Sequence, residues 1–252
     1  MAAELETLAG LQVGAETSTN WCGYVITGED DAFRSVSATW RVPRALAGPS
    51  DEYNTLASIW VGLNGSRISP VCLTQAGCNV NDYKEPDNPP APEYGAWYAM
   101  EVNGRVGATD LGDDYAAPAG DRLSCAITYL GGLEFDIRLR NLTRGWTYDK
   151  VHHYPTGTSL PAMNSAEIIV EAPVMAGVQK IGKLTNFGTV EFEDVRVNGL
   201  PISRLNGQVT GVTMVDDTDE PPDGDNLLAS PGTLGDSFAV TWHNHGRMRD
   251  YD

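Results

Sequence analysis

The sequence predicts an all-β protein, a single-domain sandwich of two packed antiparallel sheets. Three observations carry that reading. Apolar and polar residues alternate in short runs instead of recurring at helical spacing. Turn chemistry separates the runs, with 27 Gly and 15 Pro in 252 residues. No βαβ unit, heptad or internal repeat breaks the pattern, and 41% hydrophobic content is enough for a substantial core.

Taken in order, residues 1–17 show no turn-bounded alternation and are expected to be a loose extension, leaving 18–252 as the folded domain. "WCGYVIT" ends at "GEDD", and "FRSVSATWRVP" alternates until Pro43. "YNTLASIWVGLNG" stops at Asn64-Gly65, a strong turn pair. "VCLTQAGCNV" precedes "KEPDNPPAPEYG", a stretch too rich in proline for a sheet interior. "AWYAMEV" leads to a second turn at Asn103-Gly104. In "DRLSCAITYLGGLEFDIRLRNLT" the central "LGGL" reads as a hairpin turn. "AEIIVEAP", "GTVEFEDVRVNG", "QVTGVTMVDD" and "SFAVTWHN" complete the strands, and "AGVQKIGKL" alone suggests a helical turn.

Charge narrows the function classes. Seventeen Lys and Arg stand against 34 Asp and Glu, a net charge of -17. Such a chain repels nucleic-acid phosphates and anionic membranes, so neither is an expected partner. The excess of acid fits either plain solubility or work in acid, where carboxylates protonate. No apolar run is long enough to span a bilayer, and the acidic N-terminus "MAAELETLAGLQVGAE" is not a signal peptide. Cys22, Cys72, Cys78 and Cys125 allow three complete pairings and do not reveal which, if any, forms. Their spacing is no zinc pattern, and Cys22 and Cys125 read as small buried hydrophobes. Asn141-Leu142-Thr143 is a glycosylation sequon if the host glycosylates secreted proteins.

Walker, HExxH and GxSxG motifs are missing. His243 and His245 in "WHNH" offer a weak metal chelate, but solvated histidines are the commoner outcome and no metal is expected. What remains are carboxylates and amides. Glu167 and Glu171 flank Ile169 on one strand face, about 13 Å apart at the usual rise per residue. That is too wide for a glycosidase pair, which wants about 6.5–9.5 Å at most. A working glutamate would need another partner; Gln75 is a candidate by chemistry, since its amide can donate to a developing oxyanion while a facing carboxylate activates water, but a strand glutamine is more commonly an edge polar group.

"STNWCGY", "FRSVSATWRVP", "SIWVGLNG", "LTQAG", "AWYAM", "AEIIVEAP", "NFGTVEFEDVRVNG" and "SFAVTWHN" together resemble, in this order, the glutamic peptidases called eqolisins, over nearly the whole chain from about Thr17 to Asn244. The resemblance implies two curved antiparallel sheets, concanavalin-like or jelly-roll-like, with a substrate groove on the concave face. It implies an acid endopeptidase acting on unfolded or flexible polypeptides, without metal or organic cofactor, as a secreted monomer. By position it makes Gln75 and Glu171 catalytic and leaves Glu167 a bystander. Trp60, Trp97 and Asn64 would bind substrate along the groove, while Trp21 and Trp40 would pack the interior. Extra carboxylates of the fungal members are matched here by Asn64, Asn79, Gly95 and Ala99, so milder acidity is expected to suffice. A non-catalytic sandwich binding carbohydrate or peptide through Trp60 and Trp97 is the alternative.

Overall fold

The computed structural model describes residues 12–46, 54–66, 72–83, 91–102, 107–175, 178–205 and 208–250. Among the described residues, sixteen strands form one hydrogen-bonded ladder. They are β1 (Gln12–Ser18), β2 (Trp21–Thr27), β3 (Ser35–Arg41), β4 (Ser58–Leu63), β5 (Thr74–Asn79), β6 (Ala96–Met100), β7 (Ala108–Asp110) and β8 (Arg122–Gly131). After these come β9 (Glu134–Asn141), β10 (Thr147–His153), β11 (Ser165–Glu171), β12 (Thr189–Val197), β13 (Leu200–Pro201), β14 (Gln208–Val215), β15 (Leu227–Pro231) and β16 (Phe238–Trp242). Their spatial order is β7-β6-β5-β4-β11-β2-β14-β15-β16-β12-β3-β8-β9-β10, with β1 beside β14 and β13 beside β12.

The ladder doubles back on itself, which makes the two layers of a sandwich. Across the interior β3 and β8 pack on β4, and β8 and β9 pack on β5. Period-two alternation sorts the side chains. Ile59, Val61, Leu63, Ala76, Cys78, Ile168 and Val170 face the main core, meeting Trp40, Ile127, Phe135 and Ile137 from the other layer. The opposite face of the same strands carries a second, smaller cluster of Val25, Trp60, Leu73, Trp97, Ala99, Ile169 and Val212. The expected two sheets are thus joined along one side by β14, β15 and β16.

Several local expectations hold and others change. "LGGL" is the β8–β9 hairpin turn, with Gly131 and Gly132 both at positive φ as such a turn requires. Residues 12–17, expected within a loose extension, lie in a strand: β1 runs parallel to β14 from Gln12↔Gln208 to Ser18↔Met214. Its alternation is weak because the partner strand holds it by backbone bonds. Lys180–Ile181 and Lys183–Leu184 are short strands, not the helical turn expected there. The Pro-rich stretch 84–90 and the turn 103–104 lie outside the described residues.

All four cysteines are free and buried. Burial pushes their thiols up, to about 12 for Cys78. The Asn141 sequon is closed in the fold. Its Nδ2 donates to Asp121 Oδ2 at 2.7 Å and its Oδ1 accepts from the Thr143 and Arg144 amides.

Candidate active site

Register places the functional side chains before any of their contacts is considered. β11 lies between β2 and β4, and β5 lies between β4 and β6. Glu171 stands opposite Ser58 on one side and Trp21 on the other, and Ser58 stands opposite Asn79. Gln75 occupies a different row, flanked by Ala99 and Gly62, and Gly62 in turn faces Glu167. By row alone Gln75 therefore belongs with Glu167.

Side-chain packing reverses that assignment. Gly62 leaves a gap in the row, and hydrocarbon fills it: a Cβ there would meet the Trp60 ring at 2.8 Å and Leu73 Cδ1 at 2.9 Å. Behind this cover Glu167 is 0% exposed. Its Oε1 accepts from the Gly65 amide at 2.9 Å, and Ser165 and the Ser66 amide also stabilise its charged form. Burial, the larger effect, nevertheless raises the carboxyl to about 7. Glu167 fastens the turn after β4 and does not face the groove.

Glu171 opens instead onto a cavity of about 990 Å³. Gln75, Glu101, Trp97, Trp21 and Asn79 also line it. Three donors hold the Glu171 carboxyl: Trp60 Nε1 at 2.8 Å, Asn20 Nδ2 at 3.4 Å, and the Trp21 side chain. Burial first and the charge of Glu101 second push its pKa to about 8, against the pull of those donors. Such a carboxyl gains basicity while its orientation stays fixed.

Gln75 is 4% exposed. Its Nε2 donates to Glu101 Oε1 at 2.5 Å, and its Oε1 has no hydrogen-bond partner. Trp97 Nε1, also on the cavity wall, is buried and unpartnered as well. Buried polar atoms without partners are costly, and at a cavity wall they are natural contacts for a bound molecule. Gly77 lets the strands close up beneath the site, since a Cβ there would meet Ile59 O at 2.0 Å and Trp60 Cβ at 2.7 Å.

Other site expectations need correction. Asn64 turns away from the groove: its Oδ1 accepts from the Met163 amide at 2.8 Å and its Nδ2 donates to Cys72 O at 3.4 Å. It sits at φ 68, a left-handed conformation that asparagine tolerates, so it is a turn residue. Trp60 is fully buried under the groove and serves Glu171 as a donor, where a wall against substrate was expected. Trp21 lines the cavity and meets Trp60 edge to face at 5.1 Å, although interior packing was expected. Trp40 is in the core as expected, and Trp97 lines the cavity. His243 bonds Ser230 and buried His245 bonds Leu184 O; among the described residues no cluster suits a metal ion.

Glu101 and Asn20 were missed by sequence reasoning. Counting by two from Trp97 through Ala99 puts Glu101 on the groove side, so a signal existed. The expectation that this site lacks additional carboxylates is corrected by that residue.

The fold has counterparts. Residues 19–242 match the model of the peptidase A4 family. A scytalido-glutamic peptidase solved with a transition-state analogue inhibitor is similar with a TM-score of 0.66 and 23% identity, over 89% of this chain and 98% of that one. SCP-B, an eqolisin solved with the tripeptide Ala-Ile-His, gives 0.61 and 23% over the same shares. Aspergilloglutamic peptidase from Aspergillus niger gives 0.55 and 23%, over 76% of this chain and 100% of that one. No curated protein matches by sequence comparison. The chain belongs to the peptidase A4 family.

Proposed function

We propose that this peptidase cleaves internal bonds of unfolded or flexible polypeptides through Glu171 and Gln75, without a covalent intermediate. The observation that carries this reading is the shared cavity: an oriented carboxyl and a buried amide line one chamber of about 990 Å³. The transition-state analogue and tripeptide held by the similar structures are in keeping with such a substrate.

Ionised Glu171 removes a proton from water as it attacks the scissile carbonyl. The Gln75 N–H not engaged by Glu101 donates to the oxyanion, and protonated Glu171 then delivers its proton to the leaving nitrogen. The indole and amide donors around Glu171 keep it aimed through both transfers. Trp97 Nε1 offers a further donor to the substrate backbone.

Because the base must be ionised and its pKa is raised to about 8, activity should climb with pH well above the ordinary carboxylate range. The acid limb should therefore lie near pH 8, with activity still rising through neutral pH. The test is hydrolysis of a quenched fluorescent peptide across pH by Gln75→Ala and Glu171→Gln. The first should lose about 10²–10³-fold in kcat and the second about 10²–10⁴-fold. Near-wild-type rates in either, or an optimum confined below about pH 3, far beneath a free glutamate pKa, would refute the scheme.

A further inference from the structure

Glu101 directly follows β6, and its amide donates to Leu73 O at 2.8 Å, which extends the antiparallel pairing by one residue. Trp97, Ala99 and Glu101 therefore alternate onto the groove side. Ala99 stands opposite Gln75 and offers only a methyl group. The next side chain on that face, Glu101, reaches back to Gln75 Nε2. At 2.5 Å the two side chains are in direct hydrogen-bond contact.

Gln75 has no other side-chain partner among the described residues. An amide with free ends can turn over and exchange its N–H₂ with its carbonyl oxygen. An ionised carboxylate accepts hydrogen bonds and donates none, so it binds only the N–H₂ end. The oxyanion role requires that end toward the substrate. We propose that Glu101 is a positioning residue for the reaction, holding the Gln75 amide in its working orientation through the carboxylate–Nε2 hydrogen bond. The inference rests on the catalytic roles given above to Gln75 and Glu171.

A second consequence is electrostatic. Glu171 and Glu16 line the same cavity as Glu101, the Tyr154 phenol lies close behind it, and Glu167 stays behind Trp60. Among the described residues no Lys, Arg or His lines that cavity. Burial raises Glu101 to about 7 against the Gln75 hydrogen bond, and its charge in turn raises Glu171. Glu101 thus orients one catalytic group and adds to the rise that burial gives the other.

Two variants separate the roles. Glu101→Ala removes both the acceptor and the charge; kcat should fall about 10- to 100-fold with KM changed far less, as expected for a misplaced catalytic group. Glu101→Gln keeps an acceptor oxygen but removes the charge. Its new N–H₂ can also bond the Gln75 oxygen, so kcat should recover only in part, and the acid limb of kcat/KM should shift about 0.5–1 unit lower, since a like charge near the base has gone. A wild-type kcat in Glu101→Ala overturns the proposal, and so does an unmoved acid limb in Glu101→Gln. If Glu101→Ala fails to fold by circular dichroism, the limb position in Glu101→Gln decides alone. Gln75→Ala and Glu171→Gln run alongside. If they are inactive while both Glu101 variants behave as wild type, only this inference falls; if they stay active, the catalytic scheme falls with it.

Discussion

The two ends of β11 hold the same chemical group in opposite circumstances. At one end Glu167 is sealed, its carboxyl bonded to the backbone amide of Gly65 beneath Trp60 and Leu73. At the other end Glu171 is bonded by side chains and faces the cavity. Both are raised by burial, to about 7 and about 8. A shifted pKa therefore does not distinguish a cavity-facing carboxyl from a sealed one here. Access and the kind of donor do: backbone amides tie Glu167 to the shape of a turn, whereas indole and carboxamide donors aim Glu171 at open space.

The hardest test of that contrast is an equal change at both ends. Glu171→Gln should lose about 10²–10⁴-fold in kcat, while Glu167→Gln should stay within a few-fold of wild type in the same peptide assay. Equal losses would erase the distinction.

Trp60→Phe sharpens it further by removing one N–H from Glu171 while keeping most of the ring over Gly62. Loss of a hydrogen bond to a charged group, about 1.5–3 kcal/mol, should lower kcat/KM about 10- to 100-fold at a pH below the limb. The acid limb should also move upward, because the Trp60 donor favours the ionised form. That sign is opposite to the one expected for Glu101→Gln.

The buried acids also predict how stability follows pH. Glu167 ordinarily titrates at 4.5 and in the fold at about 7. Between those values the folded state holds a proton that the unfolded chain has released, so stability falls as pH rises. Glu101 and Glu171 act with the same sign. Thermal melts should show Tm declining from about pH 5 to about pH 8, and Glu167→Gln should flatten that slope. An unchanged slope would show that Glu167 is already ionised in the fold.

The smallest expected effect concerns the turn that Glu167 secures. Asn64→Ala leaves the Met163 amide without its acceptor and places alanine at positive φ. It should cost about 1–3 kcal/mol in chemical denaturation, with KM nearly unchanged. A large rise in KM would return Asn64 to the substrate groove.

Much of the fold was legible because burial writes itself into alternation: Ile59, Val61 and Leu63 face one cluster and Trp60 the other. The closure of both layers into one ladder was not legible. It depends on β15 pairing with both β14 and β16, a long-range choice that no local pattern encodes. In β1 the signal failed because backbone pairing, not side-chain burial, holds the strand. At the site, Gln75 and Glu171 were reached through resemblance, since residue types alone left them weak. Trp21 and Trp60 were misplaced for one reason: alternation tells which side of a strand a tryptophan takes, but not whether that side is packed or open. Glu101 was countable onto the groove side but had no meaning until Gln75 was known to be its neighbour.

The closed Asn141 sequon has a practical consequence for producing the protein. Oligosaccharyl transfer acts on a nascent chain before it collapses, so a eukaryotic secretory host would decorate this amide while it is still accessible. A sugar tree on Asn141 cannot coexist with its buried bonds to Asp121 and Ala116. Bacterial expression, or a host with that transferase disabled, avoids trapping the β9–β10 corner half-formed.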